Sequence, residues 1–227
     1  MIAGVRAGLD LGRERFLVRV DAALSFALAM ALAAVALLVR RASPLGAVDA
    51  VLAVEFRYAL PVVTLLAVSS ASASTRPEEA SWPFARFGLS RRHVTLGLWL
   101  TAIIRATLVL GPPLVVGVWF AAGGRGPMLR ELSVAVGLMA LGIVAYVASY
   151  ACASTFLRRG AGRYVMLGVD FLVGSGSGLF AAPLPRAHLE SLLGGEAVMG
   201  LSQRGSSFAL VAIALVAGVL AWRRIDE

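Results

Sequence analysis

The sequence predicts an all-α, polytopic membrane protein with six transmembrane helices and an N-terminal interfacial amphipathic helix. Three observations predict it. Uncharged apolar runs recur along the 227 residues at Ala22–Val39, Tyr58–Thr75, Ala106–Gly124, Leu132–Leu157 and Gly205–Trp222, and a sixth, Tyr164–Pro185, holds one charge. Each is close to or above the roughly 20 residues needed to cross about 30 Å of hydrocarbon. Hydrophobic residues make up 59% of the chain, charged residues 15%, and the mean hydropathy is +0.84, which is the membrane class. All 21 basic residues are arginines, gathered mainly at the ends of the apolar runs as membrane orientation requires.

Residues 1–19 mix small and apolar side chains with Asp10, Arg13, Glu14, Arg15 and Arg19, and are expected to lie as an amphipathic helix on the cytoplasmic interface, with Leu9, Leu17 and Val20 toward lipid or protein. They lack the apolar core of a secretory signal, so the first span is expected to be retained. Residues 20–227 are expected to form one six-helix domain. Helix one is expected at about Asp21–Val39, followed by the turn Ser43-Pro44-Leu45-Gly46. Helix two starts either near Ala47, which puts Pro61 inside it as a kink, or at Tyr58, which puts the proline in the first turn.

Residues 72–92 form the most chemically varied loop. Pro77-Glu78-Glu79 favours a helix start, Trp82, Phe84 and Phe87 suit the headgroup level, and Ser90 can cap the next helix. Helix three, about Arg91–Phe120, carries Gly111-Pro112-Pro113, where a kink is expected. The loop Gly123-Gly124-Arg125-Gly126-Pro127 follows, then helix four at about Leu132–Phe156 with small residues for close packing. Helix five, about Arg163–Phe180, contains Asp170 and Gly174-Ser175-Gly176-Ser177-Gly178. That glycine string follows no strand and precedes no lysine, so it reads as a broken or tightly packed helix rather than a nucleotide loop. Residues 182–206 are the expected extracytoplasmic segment, with room for a short surface helix, and helix six runs at about Ser207–Trp222.

Arginine placement predicts the orientation. The N-terminal stretch, the loops around 76–92 and 158–163, and the tail carry thirteen arginines, whereas the alternate connections carry six, so both termini are expected in the cytoplasm. The remaining two, Arg57 and Arg105, fall within or beside apolar sequence. With Glu55 and Asp170 they are the intramembrane polar candidates, since charge in lipid costs several kcal/mol unless paired or hydrated. A structural ion pair, snorkelling to the interface, and a place on a substrate path all remain open. Glu55 and Arg57 are too close in sequence to share a helical face, but either can pair across helices with Asp170 or Arg105.

Several functions are excluded or disfavoured. The chain has no lysine, hence no G-K-[ST] phosphate loop and no lysine Schiff base, and no asparagine, hence no N-glycosylation acceptor. Cys152 is the sole cysteine, so no internal disulfide forms, and His93 and His188 are expected on opposite sides, so no metal site is expected. No serine is paired by spacing with a histidine or carboxylate, and no catalytic residue is expected. Membrane orientation accounts for the net charge of +8 better than nucleic acid does.

Gly12–Arg19, the Arg86-Phe87-Gly88-Leu89-Ser90-Arg91-Arg92 step, the small-residue helix four ending in Phe156-Leu157-Arg158-Arg159, the outer stretch after helix five and the Trp222-Arg223-Arg224-Ile225-Asp226 tail form a layout covering nearly the whole chain. It resembles the permease subunits of type-2 ATP-binding-cassette exporters. The resemblance implies a pathway between two permease subunits, as a homodimer or heterodimer, in the bacterial inner membrane, with ATP and Mg on separate ATPase subunits. It also implies that residues 72–92 are the coupling loop, with Glu78, Glu79, Arg86, Arg91 and Arg92 contacting the ATPase. A membrane-embedded lipid-modifying enzyme and the substrate-capturing subunit of an uptake transporter share the same composition.

Overall fold

The computed structural model describes residues 2–15, 18–43, 46–123 and 128–225. Phe16 and Leu17 of the interfacial segment, Pro44 and Leu45 of the first turn, residues 124–127 of the loop after helix three, and Asp226 and Glu227 lie outside the described residues. In chain order the helices are α1 (Ile2–Glu14), α2 (Val18–Ala42), α3 (Gly46–Val54), α4 (Leu60–Ala71), α5 (Pro77–Ala85), α6 (Arg91–Ala122), α7 (Met128–Ser154), α8 (Gly162–Val173), α9 (Pro185–Leu192) and α10 (Gln203–Arg224). No strand occurs among the described residues. Five helical segments are long and apolar enough to cross a membrane: α2, the continuous Gly46–Ala71 segment, α6, α7 and α10. The chain is a multi-pass membrane protein.

Helix two begins at Gly46 and stays continuous because of one wide turn. Glu55–Ala59 is a π-helical turn in which the Leu60 N–H reaches back to the Glu55 carbonyl. Pro61 follows directly, and a proline in regular helix lacks its own N–H and collides with the carbonyl four residues earlier, here that of Arg57. Widening the turn ahead of the proline keeps the span intact. In α6 the pair Pro112-Pro113 leaves the helix uninterrupted over 32 residues. Val109, Leu110, Pro113, Leu114 and Val118 are buried there against α2, α3 and α4, and that packing holds the segment together.

The expected fifth helix stops early. α8 ends at Val173 after 12 residues, about 18 Å of rise and short of the hydrocarbon thickness. Gly174 lies so close to the Asp170 carbonyl and the Arg186 side chain that no Cβ would fit, and the Gly-Ser alternation after it favours helix poorly. The chain then forms α9, whose residues from Pro185 to Leu189 are buried. The Leu189 side chain faces both Leu60 and Gly142, and Gly142 stands halfway along α7. α9 is therefore packed at mid-height in the bundle rather than lying on its outside.

Interactions at the helix ends define the two ends of the bundle. His93 near the start of α6 meets the Trp222 ring edge-on at 6.2 Å, Arg224 sits 4.1 Å over the Phe156 ring, and Gly162 abuts the Ala153 backbone. The end of α10, the end of α7 and the starts of α6 and α8 thus share one end, where arginines are concentrated. At the other end of α10, Ser206 donates to Ser191 of α9 at 3.2 Å. Between Gly162 and Gln203 the chain passes from one end of the bundle to the other, through α8, the glycine stretch and α9 together.

α1 belongs to the arginine-rich end and is held by a glycine face. Gly4, Gly8 and Gly12 repeat every four residues and are its buried positions. A Cβ on Gly8 would meet the Val94 carbonyl, and one on Gly97 would meet the Val5 carbonyl, so the two helix backbones are in direct contact. Gly12 lies against the Thr101 side chain. The sequence-based reading, centred on Leu9, Leu17 and Val20, did not single out this face.

Candidate functional site

The end of α4 gathers the arginine-rich end of the bundle. α4 finishes with carbonyls that have no partner within the helix and a negative dipole end, which attract cations and donors. Three arginines from three other segments meet it. Arg15, just past α1, donates to the Ala71 carbonyl at 2.7 Å. Arg105 of α6 donates to the Ser70 hydroxyl and, at 2.6 Å, to Oδ1 of Asp21 at the start of α2. Arg163 of α8, wholly buried, donates to the Ser72 hydroxyl at 2.6 Å, to the Thr75 carbonyl and, at 2.8 Å, to the Gly160 carbonyl. Arg76 extends the set by donating to the Leu157 carbonyl at 3.0 Å.

The backbone between α4 and α5 is strained where this happens. Ala73 and Ser74 adopt left-handed φ values of 51° and 56° without being glycine, a conformation costing on the order of 1–3 kcal/mol per residue that surrounding contacts must sustain. The Ser74 N–H donates to the Ser69 carbonyl at 2.7 Å, and Thr75 Oγ1 donates to the Ser72 carbonyl at 2.7 Å. These bonds and the Arg163 contacts fix the direction in which α5 leaves the bundle.

α5 begins at Pro77, as Pro77-Glu78-Glu79 predicts. The Glu79 carboxylate accepts the Arg76 N–H at 3.3 Å, and both acids sit in the first turn, where the helix dipole favours them. Glu78, Glu79, Trp82 and Arg91 line an open cleft of about 370 Å³. Arg86 stacks over Trp82 at 3.9 Å, and Phe87 is 83% exposed. Burial raises the Glu78 carboxyl above its ordinary range, Glu79 adds to the rise, and Arg76, Arg91 and Arg224 oppose it. Arg92 lies 5.9 Å from the Trp222 ring. The five predicted loop residues thus occupy one end of the bundle, with Glu78, Glu79 and Arg91 on a single cleft and Arg86 beside it.

A second polar group sits at mid-height, where α9 meets the π turn. The buried Asp170 accepts from the Tyr146 hydroxyl at 2.7 Å and from the Arg186 backbone N–H at 3.4 Å. The Arg186 side chain donates to Glu190 at 3.0 Å, one helical turn on, and lies over Phe171 at 4.8 Å and Tyr58 at 5.7 Å. Arg57 comes within 3.4 Å of the same Glu190 oxygen, an ion-pair distance without hydrogen-bond alignment, and its side chain is 40% exposed. Glu55 is fully buried, and neither of its carboxylate oxygens has a hydrogen-bond partner among the described residues.

The four intramembrane candidates therefore separate. Arg105 joins Asp21 at the arginine-rich end, Arg57 joins Glu190, Asp170 joins Tyr146 and the start of α9, and Glu55 stands by itself. Sequence reasoning missed Arg163, Arg15, Asp21, Tyr146, Arg186 and Glu190. The Arg186–Glu190 spacing of four residues was a visible helical-pair signal; Tyr146 and Arg163 carried none beyond their residue type. Among the described residues no three histidine, cysteine or acidic side chains gather in a way that could hold a metal ion. No protein-family model, no curated protein and no solved structure matches the chain.

Proposed function

We propose that the chain is the membrane-spanning permease subunit of an ATP-driven exporter, driven by a separate ATPase that binds the arginine-rich end. The observation that carries this reading is the convergence of Arg15, Arg105 and Arg163 on the end of α4, directly before the strained turn that leads into α5. A push on α5 or on the start of α6 would pass through this junction to the α2, α4 and α6 spans and to α1 and α8. α5 also presents what an interface with a soluble partner needs: an exposed aromatic residue, an Arg–Trp stack and charges of both signs.

In this proposal the arginine-rich end faces the cytoplasmic side of a bacterial inner membrane, α1 packs lengthwise on the first turns of α6, and the broken α8–α9 passage is the sixth crossing. The pathway forms against a second permease subunit. The α2 span is only 17% buried, and Leu172 on α8 is 85% exposed, so both offer apolar surface for that second copy or relative. Arg57 and Tyr58 reach the surface, Tyr58 against Phe171 of α8, and would face the pathway. ATP and Mg act on the ATPase chain.

The test is purification of the tagged chain in detergent from its native host. The expected partner is a chain bearing a G-x-x-x-x-G-K-[ST] phosphate loop, identified by mass spectrometry, with ATP hydrolysis in the eluate. Arg91→Glu with Arg92→Glu is expected to remove this partner while the permease still fractionates with the membrane. Recovery of the wild-type chain with no such ATPase, or undiminished recovery of it with the double variant, overturns the reading.

A further inference from the structure

Opposite α2, the outer faces of α7, α8 and α10 enclose an apolar groove of about 470 Å³, within the roughly 300–1,000 Å³ typical of small-molecule sites. Met166, Ala212, Ile213, Val216, Ala217 and Leu220 supply most of its wall, and Ser149 and Cys152 of α7 form its floor. The stretch from Ala212 to Leu220 is about 12 Å long at the helical rise. It runs along the axis of a spanning helix and opens sideways. A groove of this shape fits one extended hydrocarbon chain better than it fits a helix, whose diameter with side chains is about 10–12 Å.

The groove has one charged end. Phe156 closes it at the arginine-rich end, with Arg224 stacked on its outer side at 4.1 Å. Arg158 and Arg159 follow immediately in the chain, and Arg223 precedes Arg224; these three are exposed. Among the described residues Arg158, Arg159 and Arg223 enter no ion pair. The backbone turns sharply here, with Arg159 at a left-handed φ of 54°. Cations at the end of a spanning helix stand at the depth of lipid phosphates.

We propose that this groove is a binding site for an anionic phospholipid, with one acyl chain lying against α10 and the headgroup phosphate held by the arginines at residues 158, 159, 223 and 224. The apolar wall contributes affinity without regard to headgroup. The arginine mouth supplies the preference, because a zwitterionic lipid offers the same phosphate with a cation attached. This inference requires only that the bundle sits in a bilayer; it does not depend on the transport reading.

Cys152, the sole cysteine, lies on the groove floor and reports its occupancy directly. In detergent micelles, the rate at which a small thiol reagent modifies Cys152 is followed while phosphatidylglycerol or phosphatidylcholine with identical acyl chains is added. Phosphatidylglycerol is expected to protect Cys152 at about a tenfold lower concentration. Replacing Arg158 and Arg159 by Gln is expected to remove most of that roughly tenfold preference and to bring the two lipids near equality. Native mass spectrometry is expected to show one retained phosphatidylglycerol, lost in Ala217→Trp, and in the milder Ala217→Leu should that tryptophan variant fail to fold. Equal protection by both lipids, protection by neither, or a preference that survives Arg158→Gln with Arg159→Gln overturns the proposal. So does protection that follows protein concentration rather than lipid, which would place a second copy of the chain in the groove.

Discussion

The end of α4 and the turn at Glu55–Ala59 belong to one continuous span and treat charge in opposite ways. At the end of α4, guanidinium groups meet free helix carbonyls, serine hydroxyls and one aspartate. The acceptors there exist because a helix must end, so a buried arginine completes a set that would otherwise be unsatisfied. Around the π turn there is no helix end to exploit. Charges must find one another, and Arg57, Arg186, Glu190, Asp170 and Tyr146 do so only because α9 brings two of them into the bundle. Glu55 finds no hydrogen-bond partner among the described residues. The first region is built to be held, whereas the second buries a carboxyl that the packing around it leaves without a hydrogen bond among the described residues.

If that contrast is right, the largest loss comes from breaking the Arg105–Asp21 pair. Arg105→Ala leaves Asp21 buried and uncompensated, and should destabilise by about 3–5 kcal/mol, whereas Arg204→Ala at an exposed helix start should stay within about 0.5 kcal/mol. Thermal unfolding in detergent measures both, and equal shifts would contradict the buried placement of Arg105. Next, Tyr146→Phe removes the hydroxyl that serves Asp170 and is expected to cost about 2 kcal/mol. A silent Tyr146→Phe would mean that Asp170 is satisfied from elsewhere.

A somewhat smaller cost, about 1–2 kcal/mol, is expected for Gly8→Ala, because its methyl would press on the Val94 carbonyl and push α1 away from α6. Faster proteolysis after Arg13 or Arg15 would report that separation, and unchanged protection would show that the glycine face is not what holds α1. The smallest effect distinguishes the two regions most cleanly. Glu55→Gln replaces an ionisable group that has no hydrogen-bond partner among the described residues by a neutral one of the same shape, so stability should rise slightly, by no more than about 1 kcal/mol, instead of falling. A clear destabilisation would reveal a counter-charge for Glu55 and erase the contrast.

Much of the layout was legible in the sequence because hydrocarbon is an unforgiving solvent: α2, α6, α7 and α10 fall within a few residues of the expected helices, and α5 starts at the proline followed by two acids. The fifth helix was misjudged in length. Tyr164–Pro185 is apolar enough to span, but the helix stops at Val173, where the Gly-Ser string that reads as a broken helix begins, and the chain continues into the buried α9. The intramembrane charges stood out in the sequence as interruptions of apolar runs, yet their partners could not be named. Arg105 and Asp21 are 84 residues apart, and no periodicity links them.

The sequence by itself determined that lipid is the solvent, where most of the spans lie, and which end carries the arginines, because apolar length and charge distribution along the chain answer directly to transfer free energy. Tertiary structure alone decided that Gly4, Gly8 and Gly12 dock on α6, that α9 is interior, and that three distant arginines share the end of one helix. Those outcomes depend on which backbone ends and which small residues come face to face. Packing in three dimensions sets that, and no local property of the chain encodes it.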